Sequence, residues 1–285
     1  MTPTRPLLAV DGDSLAHRAY HALPKSMKSA TGRPSGALVG FANFLLRLWE
    51  AEQPRAVVVG WDTIGVPTYR SEAFPSYQSG RVFDAALLEQ LDLLPELVRA
   101  LGFCAAKADG YEADDFLAAA VAQEEARGGT SLVATSDRDA FQLVSERTSV
   151  LQPVKGVSEL ARIGPAEVRE RYGVEPAQVP DFIALRGDPS DKLPGAKGVG
   201  PKTAAALLAQ YGSLDAALAD GRFSAQREDL LLYRRIATMD ASAPLPSIAD
   251  QAPTWAEAST LAESWGLGNL AGRLAALGSE PNASD

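Results

Sequence analysis

LLAVDGDS, at residues 7–14, is a run of four apolar residues that leads directly into aspartate. Short runs of this type recur through the first half of the chain, at Leu7–Val10, Val57–Gly60, Phe103–Ala106, Leu132–Thr135 and Val150–Pro153. Segments with helical periodicity separate them, for example the stripe formed by Leu38, Phe41, Leu45 and Leu48. The alternation of short strands and helices is typical of an α/β fold built on a parallel sheet.

The chain after about residue 165 has a different pattern. The β-type runs stop there, and short helical segments follow, interrupted by GDPSDKLPGAKGVGPK at residues 187–202. We therefore predict an α/β catalytic domain over residues 1–165 and a helical domain over residues 166–285. Residues 63–83 are polar and contain several glycines and prolines, which favours either a surface excursion or a functional flap.

The composition is that of a globular protein, with 46% hydrophobic and 22% charged residues in a chain of 285. No apolar stretch is long enough to span a membrane, and the first residues lack the apolar core of a signal peptide, so we expect a cytoplasmic protein without a membrane partner. The single cysteine, Cys104, excludes an internal disulfide, and two histidines are too few for a zinc centre. Any metal would then be a hard cation held by carboxylates.

Acidic residues follow the predicted strands. Asp11 and Asp62 end the first two runs, Glu112, Asp114 and Asp115 open the helix after the third, and Asp137 and Asp139 lie just past the fourth. Because the carboxyl ends of parallel strands form the ligand crevice of an open sheet, we expect these carboxylates to gather at one edge. Asp188 and Asp191 add a further pair from the helical part.

Aspartates also cap helices and populate turns, but that does not explain why they recur at strand ends. Like charges packed together cost free energy unless a cation neutralises them, and no Lys or Arg partner is evident nearby in sequence. We therefore predict that the nine carboxylates bind two Mg²⁺, with Mn²⁺ as a substitute. A net charge of −9 argues by itself against nucleic acid. The nine acids account for all of it, which leaves the remaining surface free to carry basic patches.

The segment LPGAKGVGPKT, at residues 193–203, has the features of a phosphate-binding turn. Gly198 and Gly200 allow a ligand to approach the backbone closely, and Pro201 suits the first turn of a helix. The N–H groups at that helix start, with Lys202 and Thr203 beside them, suit a phosphate. A nucleotide P-loop requires Gly-Lys-Thr, which Pro201 interrupts here, so we predict a clamp for a nucleic-acid backbone.

Together these segments resemble the bacterial and phage 5′-nuclease family, which includes flap endonucleases and the 5′→3′ exonuclease domain of DNA polymerase I. The resemblance rests on VDGDSLAHRAYHAL, WDTIGVPTYRSEAFPSYQSGR, YEADDFLAAA, TSDRDAFQLV and LRGDPSDKLPGAKGVGPKTAAALL, in family order. It implies a PIN-like parallel-sheet nuclease core, a helical arch at about residues 64–95 and a C-terminal clamp of the helix-hairpin-helix (helix-three-turn-helix) type. No polymerase segment follows, which fits either a stand-alone nuclease or an excised domain.

The resemblance also implies the activity and the residues that perform it. The implied activity is a metal-dependent 5′→3′ exonuclease and structure-specific 5′-flap endonuclease of replication and repair, monomeric and associated with the nucleoid. The implied substrates are DNA with 5′ flaps, 5′ overhangs, nicks or gaps, and RNA/DNA primers, with K⁺ a further ion at the clamp. The implied catalytic residues are Asp11, Asp62, Asp115, Tyr77, Gln78 and Arg81. The implied DNA contacts are Arg18, Arg70, Lys197, Gly198, Val199, Gly200, Lys202 and Thr203. The implied metal ligands are Asp11, Asp62, Glu112, Asp114, Asp115, Asp137, Asp139, Asp188 and Asp191.

Three positions depart from the family pattern. Asp13 stands where Ser or Ala is usual, Lys192 where Asn is usual, and Gln78 where the arch lysine is usual. Gln78 keeps open the alternative of a structure-specific DNA-binding protein with weak or vestigial nuclease activity. A haloacid-dehalogenase-type phosphatase, suggested by Asp11-Gly-Asp13, would not need the clamp or the other acids of the predicted metal site.

Overall fold

A six-stranded sheet forms the centre of the N-terminal part of the protein. The computed structural model describes residues 5–80, 82–155 and 159–279. Its strands are β1 (Leu7–Asp11), β2 (Ala56–Gly60), β3 (Cys104–Ala106), β4 (Ser131–Ala134), β5 (Thr148–Lys155) and β6 (Glu159–Ile163). They lie in the order β3-β2-β1-β4-β5-β6, and all neighbours are parallel except β5 and β6. The five predicted strands and their parallel pairing are confirmed, whereas β6 was not predicted.

Twelve α-helices lie in the described ranges. They are α1 (Gly12–Ala22), α2 (Gly36–Glu52), α3 (Tyr69–Ala73), α4 (Ala85–Ala100), α5 (Ala113–Ala126), α6 (Pro165–Tyr172), α7 (Val179–Arg186), α8 (Pro201–Tyr211), α9 (Leu214–Ala219), α10 (Arg227–Ala237), α11 (Trp255–Ser264) and α12 (Gly268–Ser279). No strand occurs after β6 in that part of the chain, as predicted. None of these helices is both long and apolar enough to cross a membrane.

Alternate residues of the central strands face two separate cores. On one face, Leu7, Ala9 and Val58 pack with α5, α7 and α10. On the other face, the neighbouring strand residues pack with α2 and α4. This division follows from the two-residue period of a strand, which sends successive side chains to opposite faces, and it explains why the strand sequences are almost wholly apolar.

The last two helices return to the N-terminal sheet. Helices α11 and α12 belong to the same buried cluster as α2 and α4, and the rings of Trp49 and Trp255 meet edge to face with centroids 6.1 Å apart. The C-terminal segment therefore completes one core of the sheet domain, while α6–α10 extend the other. The boundary at residue 165 stays a prediction.

The predicted arch range divides into two parts with different packing. Residues 85–95 belong to α4, whose Leu87, Leu91 and Leu94 are buried in the core. Residues 64–80 and 82–84 contain the short α3 followed by turns. We call residues 74–80 the strap. Gln78 of the strap lines the cavity at the carboxyl edge of the sheet, together with Ile64 and Phe83 from the rest of this range.

Candidate active site

The carboxyl ends of β1 and β2 place three aspartates side by side. Asp11 accepts hydrogen bonds from Ser14 N (2.9 Å) and Thr135 Oγ1 (2.7 Å). Asp13 accepts from the backbone N–H of Asp62 (2.7 Å), which links the two strand ends. Burial, with Asp62 and Asp137 nearby, raises the pKa of Asp11 to about 7, and burial and Asp62 also raise the pKa of Asp13. The strand ends thus hold carboxylates in a place that favours a neutralising cation.

Helix α5 begins directly against this edge of the sheet. A side chain at Gly60 would place Cβ 2.5 Å from the Ala113 carbonyl oxygen, so a glycine is needed for the helix to approach. Asp62 accepts from Ala113 N (2.8 Å), which fixes the start of the helix beside β2. Glu112 accepts from Thr68 Oγ1 (2.8 Å) and Tyr77 Oη (2.9 Å), and burial raises its pKa.

Asp114 is the carboxylate least satisfied by the protein. Its Oδ1 is buried and has no hydrogen-bond partner. Burial raises the pKa of Asp114 well above its ordinary value, and the charges of Asp137 and Asp11 raise it further. An orphaned carboxylate oxygen among like charges fits a ligand for a hard cation, which would replace the missing partner.

The second carboxylate pair meets the first set. Asp188 accepts from Ser190 N (2.8 Å) and from Arg186 (3.2 Å). Burial raises the pKa of Asp139 well above its ordinary value, and Asp137, Asp191 and Asp188 add to the rise, so carboxylates from both parts of the chain act on one group. Asp137, Asp139 and Asp188 also line one cavity, so these segments lie next to each other.

The crevice between these groups has the size and chemistry of a hydrated metal site. Its volume is about 330 Å³, and its lining includes Asp11, Asp13, Asp62, Glu112, Asp114, Asp137 and Gln78. Within the described ranges no group of three His, Cys, Asp or Glu side chains is placed so that all three could hold a metal ion. Mg²⁺ keeps several waters and takes only one or two carboxylates directly, so an open, carboxylate-lined crevice fits it.

Asp115 differs from the other predicted metal ligands. It is fully buried, and its two oxygens accept from both terminal nitrogens of Arg70, at 2.7 and 2.8 Å. The Tyr69 hydroxyl (3.2 Å) and the backbone N–H groups of Glu112 (3.1 Å) and Asp240 (2.8 Å) also donate to it. Because these donors already engage its oxygens, the geometry favours a structural role for Asp115, and its role as a catalytic metal ligand stays a prediction. Asp115 joins α3, α5 and the segment after α10.

Arg70 is the other member of this buried ion pair. We predicted a DNA contact, but this side chain is 3% exposed, and besides Asp115 it contacts Glu112 (3.5 Å) and donates to the Ile236 carbonyl (2.9 Å). We expected no Lys or Arg partner nearby in sequence, but Arg186, two residues before Asp188, is such a partner. Arg70 lies 45 residues from Asp115 in sequence, so no local pattern reveals the pairing.

The strap brings Tyr77 and Gln78 to the crevice. Tyr77 is mostly buried and donates to Glu112, while Gln78 Nε2 donates to Tyr77 Oη (2.8 Å) and Asp191 Oδ1 (2.9 Å). The strap therefore touches both carboxylate sets. Arg81, the third residue predicted in this segment, lies outside the described residues.

The clamp segment presents an open helix start. Gly187 and Gly195 take left-handed conformations (φ 79° and 74°) and pass within van der Waals contact of each other, which closes the turn after α7. At Gly198 and Gly200 an added Cβ would meet nothing within 4 Å, so this edge faces open space. The exposed residues there are Lys197, Gly198, Gly200, Lys202 and Thr203, whereas Val199 is half-buried. No side chain caps α8 at Gly200, which leaves N–H groups for an anion.

Sequence reasoning missed several residues of the site. Thr135 and Ser14 bind Asp11, and His17 lies on the crevice wall with its ring 5.4 Å from that of Phe83. A Ser or Thr near a strand-end acid is too common to single out from sequence. Arg18, predicted as a DNA contact, is half-buried on α1 beside this wall.

Two protein-family models together match nearly the whole described chain. Residues 6–173 match the family described as 5′-3′ exonuclease, N-terminal resolvase-like domain. Residues 174–258 match the family described as 5′-3′ exonuclease, C-terminal SAM fold. The predicted fold class, a PIN-like core followed by a helical clamp domain, is confirmed by these matches.

The curated relatives include DNA polymerase I from several bacteria. The Mycobacterium bovis protein is 45% identical over 210 residues, covering 73% of this chain and 23% of the polymerase. Thermostable DNA polymerase I from Thermus aquaticus is 42% identical over 217 residues, covering 76% of this chain and 25% of the polymerase. The match thus spans about a quarter of the length of these relatives.

Solved structures with the same fold come from a phage and from Rad2. The bacteriophage T5 flap endonuclease, in a pseudo-enzyme-product complex with DNA and metal ions, has a TM-score of 0.68 at 19% identity, covering 97% of this chain and 100% of that one. The catalytic core of Rad2 in complex with DNA substrate has a TM-score of 0.60 at 16% identity, covering 95% and 91%. At these identities the likeness shows the fold.

Proposed function

Since the chain belongs to the 5′-3′ exonuclease family, we propose that it is a 5′→3′ exonuclease and structure-specific 5′-flap endonuclease that hydrolyses DNA phosphodiesters. The two family matches confirm the predicted family resemblance. The observation that supports the proposed activity is that two carboxylate-lined cavities adjoin and share Asp137, one at the sheet edge and one lined by Asp139 and Asp188. The exposed start of α8 supports DNA as the substrate, because it offers backbone N–H groups and Lys202 to a phosphate.

Two Mg²⁺ are the proposed cofactors, with Mn²⁺ as a substitute. The residues proposed to hold them are Asp11, Asp62, Glu112, Asp114, Asp137, Asp139, Asp188 and Asp191. The buried, unpaired Oδ1 of Asp114 is the feature that best supports a cation here. When bound, such a pair of ions supplies an activated water and stabilises the leaving oxygen of a phosphodiester.

The protein's own part in the reaction is to orient and position. Thr135 and Ser14 hold the Asp11 carboxylate in one rotamer, and Tyr77 does the same for Glu112. The Asp13 carboxylate accepts a hydrogen bond from the backbone N–H of Asp62 and so fixes Asp62 relative to β1. Preorganised carboxylates of this kind need no rearrangement when substrate arrives. Gln78 and Arg81 of the predicted arch, and Arg18 of α1, are proposed to face the DNA strand.

The clamp is proposed to hold duplex DNA beside the crevice through its phosphates. Lys197, Gly198, Val199, Gly200, Lys202 and Thr203 form its contact surface, with K⁺ as a further ion between this turn and the backbone. Phosphate contacts of this type fix register without reading sequence. The proposed substrates are DNA with 5′ flaps, 5′ overhangs, nicks or gaps, including RNA/DNA primers. We propose that the protein acts on them as a monomer, in the cytoplasm and associated with the nucleoid.

The test is cleavage of a labelled 5′-flap duplex in Mg²⁺, in EDTA, and on the matched single strand. Cuts near the flap junction in Mg²⁺, with none in EDTA, are expected. Binding to the flap duplex without cleavage in Mg²⁺ or Mn²⁺ would instead identify a structure-specific DNA-binding protein with vestigial nuclease activity. Equal cleavage in EDTA would refute the metal site.

A further inference from the structure

Two non-glycine residues with left-handed backbones face each other across the crevice mouth. Gln78 in the strap has φ 46°, and Lys192, directly after Asp191, has φ 59°. This conformation costs a β-carbon-bearing residue about 1–3 kcal/mol and persists only where surrounding contacts enforce it. Both positions also depart from the family pattern noted in the sequence. The two strained backbones therefore point to the contacts that hold them.

The contact is a reciprocal tie between the strap and the loop of residues 188–192. Gln78 Nε2 donates to Asp191 Oδ1 at 2.9 Å. In the opposite direction, Lys192 Nζ donates to the Ser79 carbonyl and, at 2.9 Å, to Ser79 Oγ. Each left-handed residue thus reaches the neighbour of the other. Tyr77 of the strap contacts Glu112, and the next residue, Gln78, contacts the second carboxylate pair. Lys192 contacts the strap at the following residue, Ser79.

Lys192 differs from the buried arginines of the site in the charge of its partners. Arg70 is bound by Asp115 and Glu112, and Arg186 by Asp188, so their charges are used within the protein. The side-chain hydrogen bonds of Lys192 with the described residues are to Ser79, whose oxygens are neutral, and they lie at the exposed surface. A lysine held by neutral groups can exchange them for a charged partner, because charge-assisted hydrogen bonds are roughly twice as strong.

We propose that Lys192 is a substrate-positioning residue whose ammonium group binds a phosphate of the DNA strand entering between the strap and the loop of residues 188–192. The proposal rests on the proposed nuclease function. A carboxylate-lined crevice repels a phosphodiester, so a cation at its rim lowers the electrostatic cost of approach. Ser79 holds the long lysine side chain near that position before DNA arrives. Gln78 is neutral and bound to Asp191, so it supplies no positive charge of its own here.

The experiment compares wild type, Lys192→Gln and Lys192→Arg with Arg99→Gln as the matched control. Arg99 lies near the end of α4, at the opposite edge of the sheet, so its variant removes one positive charge far from the crevice. Single-turnover cleavage of a 5′-flap duplex in Mg²⁺ gives the rate, and flap binding in Ca²⁺ at several salt concentrations gives the salt dependence. Wild-type cleavage is measured first, since its absence would refute the proposed function rather than this inference.

Lys192→Gln is expected to lower the single-turnover rate about 10-fold or more and to reduce the slope of log K against log salt by about 1. Lys192→Arg, which keeps the charge, should retain most of the wild-type rate and most of the wild-type salt slope. Arg99→Gln should leave the rate unchanged. Adding Gln78→Lys to Lys192→Gln should recover part of the rate, because it returns a cation to the same rim.

A purely structural tie predicts a different result. Lys192→Gln would then speed hydrogen exchange over residues 74–80 in the DNA-free protein while the salt slope stayed at the wild-type value. That outcome, or a Lys192→Gln rate equal to wild type in an enzyme that cleaves, would overturn the proposal.

Discussion

Replacing Asp115 with alanine is expected to destabilise the fold strongly, whereas the same change at Asp114, its neighbour, is not. Asp115→Ala leaves the buried guanidinium of Arg70 without its carboxylate and removes an acceptor from Tyr69 Oη and two backbone N–H groups. Removing one partner of a buried ion pair costs about 3–5 kcal/mol. Asp115→Ala should lower the free energy of unfolding by this amount.

Asp114→Ala removes a carboxylate that the metal-free protein does not satisfy. Its Oδ1 is buried without a partner, and burial and neighbouring aspartates raise its pKa. Because burial and the neighbouring aspartates both oppose the ionised form of Asp114 in the fold, Asp114→Ala should leave the free energy of unfolding in the absence of metal unchanged or raise it by about 1 kcal/mol. The two adjacent substitutions thus separate a structural carboxylate from one held for a cation.

The assay is thermal unfolding in EDTA, with wild type, Asp114→Ala and Asp115→Ala side by side. For a chain of 285 residues, a loss of about 3–5 kcal/mol lowers Tm by about 5–8 °C, from an unfolding entropy of about 2.1 cal/mol/K per residue. The double variant Arg70→Met/Asp115→Leu should recover most of the loss. An Asp115→Ala protein that melts within about 1 °C of wild type would refute the structural role of Asp115. So would an Asp114→Ala protein with a lower Tm than Asp115→Ala.

Three further outcomes are expected. Ca²⁺ should support DNA binding without turnover, because its looser coordination does not hold the geometry that the reaction needs; cleavage in Ca²⁺ at the Mg²⁺ rate would contradict this. Lys202→Ala should weaken binding about equally on unrelated DNA sequences and reduce the salt slope by about 1, as fluorescence anisotropy can measure; loss confined to one sequence would count against a phosphate contact. Tyr77→Phe should slow single-turnover cleavage about 10-fold while leaving flap binding near wild type, since it frees Glu112 from the donor that orients it; an unchanged rate would show that Glu112 needs no such support.

The core of the fold was predictable because its signals are local. Each parallel strand is a short apolar run, and Asp11 and Asp62 follow the first two directly. The α2 stripe containing Leu38 and Leu45 has the helical period that the structure realises. By contrast, β6 is a five-residue edge strand with polar and charged residues, stabilised by its pairing with β5, so its own sequence carries little strand signal.

The site was predictable in composition but not in its division of labour. The strand-end pattern identifies Asp114 and Asp115 equally, because the two are adjacent at the start of α5. Only the tertiary contact with Arg70 distinguishes them. The tie between Gln78 and Asp191 joins residues 113 positions apart, and nothing in either local sequence indicates it. Local patterns reveal which groups are present, whereas their pairing depends on packing.

The central claim is that the carboxylate crevice is a metal-dependent nuclease site, and the most direct measurement is single-turnover cleavage of a 5′-flap duplex by wild type and Asp114→Asn. Asn keeps the size of the side chain and removes the charge that would hold a cation. The account predicts Mg²⁺-dependent cleavage by wild type, and cleavage slower by about 100-fold or more by Asp114→Asn, with flap binding in Ca²⁺ retained. Cleavage by Asp114→Asn at the wild-type rate, or cleavage by wild type in EDTA, would contradict it.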